Sequence, residues 1–201
     1  MVNHNNTINL NGTNIKISKT TLSDLLKMRK NKEEFLTIDE LFDYIKQNRA
    51  KFFFEVKTSS PFLVRSIAEK IKEYNLWEKI EIIGFSFIIK NALKAQLEYP
   101  KLQVGQILHF PLSSYIRMPR KSYSVFLGWL DGTPGSQRLF KTLISSNSLF
   151  KLRKRLEKKG FKVMGGVINN DKGLKLFKEA GINDIVTDRV SETVKFFKSE
   201  D

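Results

Sequence analysis

Cysteine is absent from this 201-residue sequence, and histidine occurs only twice. Without cysteine the chain can form no disulfide, no thiolate zinc site and no cysteine nucleophile, which is compatible with a reducing compartment. No apolar run approaches the roughly 20 residues of a membrane-spanning helix, and the first residues lack the apolar core of a signal peptide. We therefore expect a protein without a membrane span, located in the cytoplasm.

Two common nucleotide-binding motifs are also missing: no GxGxxG follows the first predicted strand, and GxxxxGK[ST] occurs nowhere. What the sequence has in excess is positive charge, with 35 Lys and Arg against 21 Asp and Glu and a net charge of +14. Such a charge favours anionic partners, which include nucleic acid, an acidic membrane surface and phosphorylated small molecules.

The densest basic segment is KLRKRLEKKG, residues 151–160. Leu149, Leu152 and Leu156 recur there at helical spacing, which favours a helix with a buried apolar stripe and a solvated basic face over a dedicated nucleic-acid site. SSYIRMPRKSY, residues 113–123, interleaves aromatic and basic residues as single-strand binders can, but one such loop is common on a basic protein. Nucleic acid is therefore not the expected partner, and a basic nucleic-acid-binding protein is the least favoured alternative function.

From residue 37 onward, short β-rich runs alternate with amphipathic helical stretches. Thr37 and Glu40 have the spacing of a capping box, and Ser60 followed by Pro61 has the pattern of an N-cap and a first helical residue. Predicted strands and helical stretches alternate along the chain, and we count six strand-then-helix units. The predicted strands are residues 51–57, 80–85, 102–108, 123–128, 161–168 and 183–187.

This alternation predicts an α/β fold with a parallel sheet covered by helices, either doubly wound or closed as a barrel. The missing nucleotide-binding motifs favour a (β/α)8 TIM-barrel type. Such a barrel typically has about 250 residues and eight units. We therefore predict an N-terminally truncated barrel of about six complete units, in a single domain over residues 1–201.

The strand KFFFEVK, residues 51–57, places two opposite charges on one face. Because side chains alternate along a strand, Phe53, Glu55 and Lys57 share one side. A carboxylate and an ammonium on an aromatic strand are costly unless they pair, bind a metal or meet a substrate. Active sites of parallel barrels form at the C-terminal strand ends, so a structural ion pair and an active-site role both remain open.

Polar residues follow three later predicted strands at the equivalent position. Each is individually an ordinary turn or cap residue, so their recurrence at successive strand ends is the more useful observation. They are Ser86 with Phe87, Asn169 with Asn170, and Thr187 with Asp188.

Several stretches, taken in order, resemble the glycerophosphodiester phosphodiesterase family. VNHNNTINLNGT with the following TLSDL resembles its H-D-x-T-L stretch and NGTG-like loop, TIDELFDYI its P-T-L-E-E helix, and FFFEVK its E-I-K strand. IGFSF resembles its S-S-F, VINN its W-T-V-N, and AGINDIVTDR its closing G-V-D-G-I-I-T-D-R-P. The resemblance extends over essentially the whole chain.

The resemblance implies a TIM-barrel enzyme of lipid metabolism that uses a divalent metal, Mg²⁺ or Ca²⁺, to hydrolyse a glycerophosphodiester to glycerol phosphate and an alcohol. In that chemistry the metal polarises the phosphoryl oxygen, a histidine moves protons and a lysine balances phosphate charge. The matching residues are His4 as one of two catalytic histidines, Glu55 as a metal ligand, Lys57 on the phosphate, Phe87 in the substrate pocket, and Asp188 with Arg189 in the closing, mainly structural motif.

The sequence also departs from the family pattern. No H-R-G and no E-x-D precede His4, Asn5 stands where the family has aspartate, and Gly166 stands at the tryptophan of W-T-V-N. We expect Met1 to be an internal methionine of a longer protein, because a six-unit barrel leaves open strand edges. The alternative is a truncated, catalytically impaired paralogue that binds phosphate ligands, with its metal weakly held. His109 has no assigned role.

Overall fold

The computed structural model describes residues 5–31, 35–108, 119, 121–129 and 133–198. The chain divides into two compact units, Met1–Ala50 and Lys51–Asp201. The expectation of a single domain over the whole chain stays a prediction. Within the described residues, no helix is both long enough and apolar enough to cross a membrane.

The first unit contains a β-hairpin and two helices. Strands β1 and β2 pair antiparallel, and the two residues between them, Asn11 and Gly12, both have positive φ, as a type I′ turn requires. Ile8, Leu10, Leu25 and Phe35 form its small apolar core. The elements are β1 (Thr7–Leu10), β2 (Thr13–Lys16), a 3₁₀ turn (Ile17–Lys19), α1 (Leu22–Met28) and α2 (Ile38–Gln47).

The start of α2 carries the predicted capping box. Thr37 Oγ1 accepts from the Glu40 backbone N–H at 3.2 Å, and the Glu40 carboxylate accepts from the Thr37 backbone N–H at 2.9 Å. Arg29, just after α1, donates two further hydrogen bonds to the same carboxylate, at 2.8 and 3.0 Å. Glu40 therefore ties the two helices of this unit together.

The Glu40 carboxylate makes the first unit sensitive to acid. Its hydrogen bonds with Arg29, and then with Thr37, lower the pKa of Glu40 from 4.5 to about 2. A depressed pKa adds stability that is complete above the unfolded pKa and is lost as the pH falls through the folded one. We expect the Tm of the first unit to fall as the pH is lowered from about 5 to about 2. The variant E40Q should lose most of this dependence of Tm on pH. An equal dependence of Tm on pH in E40Q and in the unchanged chain would contradict this role of Glu40.

The second unit contains a parallel sheet. Five strands pair in chain order, β3-β4-β5-β6-β7. They are β3 (Phe52–Glu55), β4 (Ile80–Phe85), β5 (Gln103–Ile107), β6 (Ser124–Leu127) and β7 (Lys162–Gly165). The helices are α3 (Pro61–Glu73), α4 (Lys90–Ala95), α5 (Ser136–Leu143), α6 (Ser146–Glu157), α7 (Asp171–Glu179) and α8 (Val190–Lys198).

Most predicted elements are present, and two differ from expectation. The sixth predicted strand, residues 183–187, is wrong in extent, because the described residues show only one parallel bridge there, from Gly165 to Ile185. Helix α5 begins directly after Gly135 and was not expected from the sequence. The mostly parallel α/β sheet fits a TIM-barrel-like fold, whereas closure of the barrel and its number of units stay predictions.

The sheet curves toward the face that carries Phe53. In the parallel register this face continues through Glu81 on β4, Gly105 on β5 and Phe126 on β6. Neighbouring strands lie about 4.8 Å apart, so β3 and β6 would be about 14 Å apart in a flat sheet. The rings of Phe53 and Phe126 nevertheless meet edge to face, with centroids 5.5 Å apart. We call this the concave face.

The opposite face packs against helices. Val125, Leu127 and Val163 join the apolar cluster that also contains side chains of α5, α6 and α7. Helix α6 contributes the predicted stripe of Leu149, Leu152 and Leu156, all buried, and its lysines point to solvent. The structure therefore confirms the expected apolar stripe and exposed basic face of this segment.

Candidate functional site

Glu55 and Lys57 lie together at the carboxyl end of β3. The Val56 backbone N–H donates to the Ile83 carbonyl at 2.9 Å, so the strand pairing extends past Glu55. Lys57 Nζ lies 2.7 Å from Glu55 Oε2, and the two side chains are 49% and 29% exposed. The ion pair that the sequence left open is therefore present, at a solvent-accessible edge.

Two aromatic side chains lie at the end of the neighbouring strand. Phe85 is the last residue of β4, and Phe87 lies two residues further along the chain. Their rings stack at 10° with centroids 5.9 Å apart, yet Phe87 remains 60% exposed. An exposed ring at a strand's carboxyl end could contact an apolar part of a ligand. Phe87 thus follows the carboxyl end of β4, the strand that pairs in parallel with β3.

A network of hydrogen bonds joins the residue Asn169, which follows β7, to the segment 187–189. Asn169 Oδ1 accepts from Thr187 Oγ1 at 3.1 Å and from the Asp188 backbone N–H at 2.9 Å. Asn169 Nδ2 donates to Asp188 Oδ2 at 2.7 Å, and the Arg189 guanidinium donates to the Asn169 carbonyl at 3.1 Å. These bonds link Asn169 to Thr187, Asp188 and Arg189, and they fit the structural part expected for Asp188 and Arg189.

Sequence reasoning missed a lysine near the carboxyl ends of β6 and β7. Lys141 Nζ lies 5.6 Å from the Trp129 ring centroid and 3.4 Å from Asn170 Oδ1. Desolvation, and then the charge of Lys172, lower the pKa of Lys141. Helix α5 itself was not predicted. No sequence pattern therefore indicated that the Lys141 ammonium would be half-buried at the amino-terminal end of α7, where Asn170 is the N-cap.

Sequence reasoning also missed a buried polar cluster on the concave face, which we call the Glu81 cluster. Glu81 Oε1 accepts from Ser124 Oγ, and Glu81 Oε2 lies 2.7 Å from Lys51 Nζ. Lys51 Nζ also donates to Gln103 Oε1 at 2.5 Å. A Cβ on Gly105 would lie 2.6 Å from Glu81 Oε1. The sequence signal was a lone glutamate in the apolar strand IEIIGF.

The described residues do not by themselves form a metal site. A hard cation needs several oxygen ligands, and the described part of the chain holds no group of three His, Cys, Asp or Glu residues that could supply them. Glu55, the expected ligand, is paired with Lys57. His4 and His109 both lie outside the described residues, so the structure tests no contact of either.

No protein-family model matches the sequence, and no curated protein matches it significantly. Solved structures do resemble the fold. A protein of Galdieria sulphuraria assigned as a glycerophosphodiester phosphodiesterase gives a TM-score of 0.64 at 13% identity over 95% of this chain. The glycerophosphodiester phosphodiesterase of Parabacteroides distasonis gives 0.55 at 20% identity over 79% of the chain.

A third structure, assigned as a glycerophosphoryl diester phosphodiesterase of Silicibacter pomeroyi, gives a TM-score of 0.59 at 15% identity over 81% of this chain. This chain spans 56% of the Silicibacter protein, 63% of the Parabacteroides protein and 76% of the Galdieria protein. At such identities the likeness shows the fold alone. The resemblance in the sequence is therefore confirmed at the level of the fold: this chain has a glycerophosphodiester phosphodiesterase-like fold.

Proposed function

We propose that this chain is a phosphoric diester hydrolase that acts on a small glycerophosphodiester. The observation that carries the proposal is the Glu55–Lys57 pair at the carboxyl end of β3, in a fold like that of glycerophosphodiester phosphodiesterases. In parallel barrels this edge is where active sites form. Water would add to phosphorus, the P–O bond to the alcohol would break, and the alcohol oxygen would take up a proton.

Lys57 is the residue proposed to bind the substrate phosphate. Its ammonium is about half exposed, and its bond to Glu55 is that of an accessible ion pair, which contributes about 0 to 1 kcal/mol. A phosphate can therefore replace the Glu55 carboxylate at Lys57 with little loss of free energy. The exchange would release the carboxylate at the moment when substrate arrives.

The remaining roles stay proposals. His4 is proposed to move the proton, and Phe87 to contact the substrate beside the phosphate. A Mg²⁺ or Ca²⁺ ion bound by Glu55 is part of the expected chemistry, but the described residues do not supply enough ligands, so no step is assigned to it. Turnover with and without each cation is therefore a necessary arm of the test.

The direct test is release of glycerol phosphate from glycerophosphocholine, followed by ³¹P NMR with Mg²⁺, with Ca²⁺ and with EDTA. We expect Lys57→Met and His4→Ala each to lower kcat/KM by about 100-fold, because each removes a charge or a proton carrier. Glu55→Gln tests the metal ligand. The matched control is Glu73→Gln, which breaks the exposed pair between Lys70 and Glu73 on α3.

Turnover that is unchanged in Lys57→Met, or that falls equally in Glu73→Gln, would contradict the proposed roles. A second candidate function is a non-catalytic phosphate-binding protein, which the shortage of metal ligands among the described residues favours. That function predicts binding of glycerol 3-phosphate without turnover in any cation. Calorimetry with Lys57→Met then tests whether the same ammonium binds the ligand.

A further inference from the structure

A cavity of about 610 Å³ opens at the opposite end of the sheet from Glu55 and Lys57. It lies at the amino-terminal ends of β5 and β6, whereas the candidate catalytic edge lies at the carboxyl ends of the strands. Its volume is within the range of small-molecule sites, roughly 300 to 1,000 Å³. Its wall includes Leu93, Leu97, Pro100, Lys101, Lys121 and Tyr123.

One part of this wall is apolar and accessible. Leu97 is 85% exposed, and the Tyr123 ring is 43% exposed. Leu93 is half-buried and Pro100 is exposed beside them. A concave apolar surface of this kind loses hydration when the hydrocarbon part of a ligand covers it.

The other part of the wall is cationic. Lys101 and Lys121 are both exposed, and no carboxylate among the described residues lies within ion-pair distance of either ammonium. The nearest acid in sequence, Glu98, is bound to Arg65. Nothing in the described part of the wall therefore neutralises these two charges. A bound anion would neutralise them.

The Glu81 cluster holds the base of the cavity in place. Gln103, which lines the cavity, accepts from Lys51 Nζ at 2.5 Å, and the same ammonium lies 4.2 Å from the Tyr123 ring centroid. Glu81 balances the charge of Lys51. The base is thus preorganised, and it adds no net charge that would repel an anion.

We propose that this cavity binds an amphipathic anion, with its apolar body against Leu93, Leu97 and Pro100 and its anionic group at Lys101 and Lys121. The ligand class is a hydrocarbon chain or ring with one phosphate or carboxylate. This site is separate from the edge proposed for hydrolysis, and the proposal does not depend on turnover. A concave cavity suits a single dissolved molecule rather than a bilayer surface.

Isothermal calorimetry of the full chain with monomeric n-octyl phosphate tests the proposal. We expect binding at least about tenfold tighter than that of inorganic phosphate or of octan-1-ol, because each of these lacks one half of the ligand. The double variant Lys101→Gln and Lys121→Gln should weaken octyl phosphate binding by about tenfold. Leu97→Asn, at a mostly exposed position, should weaken it without unfolding the chain.

The matched control is the double variant Lys151→Gln and Lys158→Gln on α6 and its cap, which removes the same charge from exposed sites elsewhere. It should bind octyl phosphate within about twofold of the unchanged chain. Equal losses in the two double variants, unchanged affinity without Lys101 and Lys121, or no binding at millimolar octyl phosphate would overturn the proposal. The proposal would also be overturned if the protein sedimented with phosphatidylglycerol vesicles but did not bind dissolved octyl phosphate.

Discussion

Gly128→Ala is expected to destabilise the second unit by at least about 3 kcal/mol, or to prevent it from folding. A Cβ at this position would overlap the carbonyl oxygen of Gly166 and lie 2.9 Å from its carbonyl carbon. Both atoms belong to the backbone, so no side-chain rotation can relieve the contact. The Gly166 backbone N–H donates to the Leu127 carbonyl at 2.9 Å, which holds the two segments together. The ends of β6 and β7 would have to separate.

Thermal unfolding followed by circular dichroism measures this effect, and 3 kcal/mol corresponds to a fall in Tm of roughly 6 to 12 °C. Gly166→Ala is the matched control, because a Cβ there lies 3.6 Å from the nearest described atom and meets only ordinary contacts. We expect the control to change stability by no more than about 1 kcal/mol. Equal Tm values for the two variants would show that the strand ends separate easily.

Lys51→Met is the second substitution with a large expected effect. It leaves the Glu81 carboxylate buried, with Oε2 deprived of the ammonium 2.7 Å away. Removing one partner of a buried ion pair typically costs 3 to 5 kcal/mol, and we expect about 3 kcal/mol because Lys51 is partly exposed. Urea unfolding in Lys51→Met should show this loss.

The control for this prediction uses an ion pair at the amino-terminal end of β7, on the other side of the sheet from β3. Lys162 Nζ lies 3.2 Å from Asp184 Oδ2, and both side chains are largely accessible. Lys162→Met should therefore cost less than about 1 kcal/mol. The double variant of Lys51→Met with Glu81→Gln should regain most of the lost stability, because it removes the uncompensated charge. No recovery would mean that Lys51 acts through packing and not through Glu81.

The carboxyl end of β3 shows how far a local pattern can predict a site. The alternation of KFFFEVK placed Glu55 and Lys57 on one face, and the observed ion pair agrees with that placement. Residues two apart on a strand share a side whatever the rest of the fold does. The pattern could not predict which partner each charge takes, because a phosphate or a cation would compete with the local pair.

The Glu81 cluster shows the opposite case. Lys51, Glu81 and Ser124 are far apart in sequence, and they meet because β3, β4 and β6 belong to one curved sheet. No local pattern links them. A lone glutamate in an apolar strand such as IEIIGF can indicate only that some partner is needed, and not which one.

Helix starts and most strand positions follow from the sequence alone, because caps and alternation are properties of a few adjacent residues. The capping box at Thr37, the N-cap at Ser60 and the strand Ile80–Phe85 all appear as predicted. Tertiary structure decided the rest: the single bridge at Ile185, the curvature that joins Phe53 to Phe126, and the cavity between Leu97 and Tyr123. Each depends on how distant strands pack, and hydrophobic burial determines such packing without leaving a local pattern.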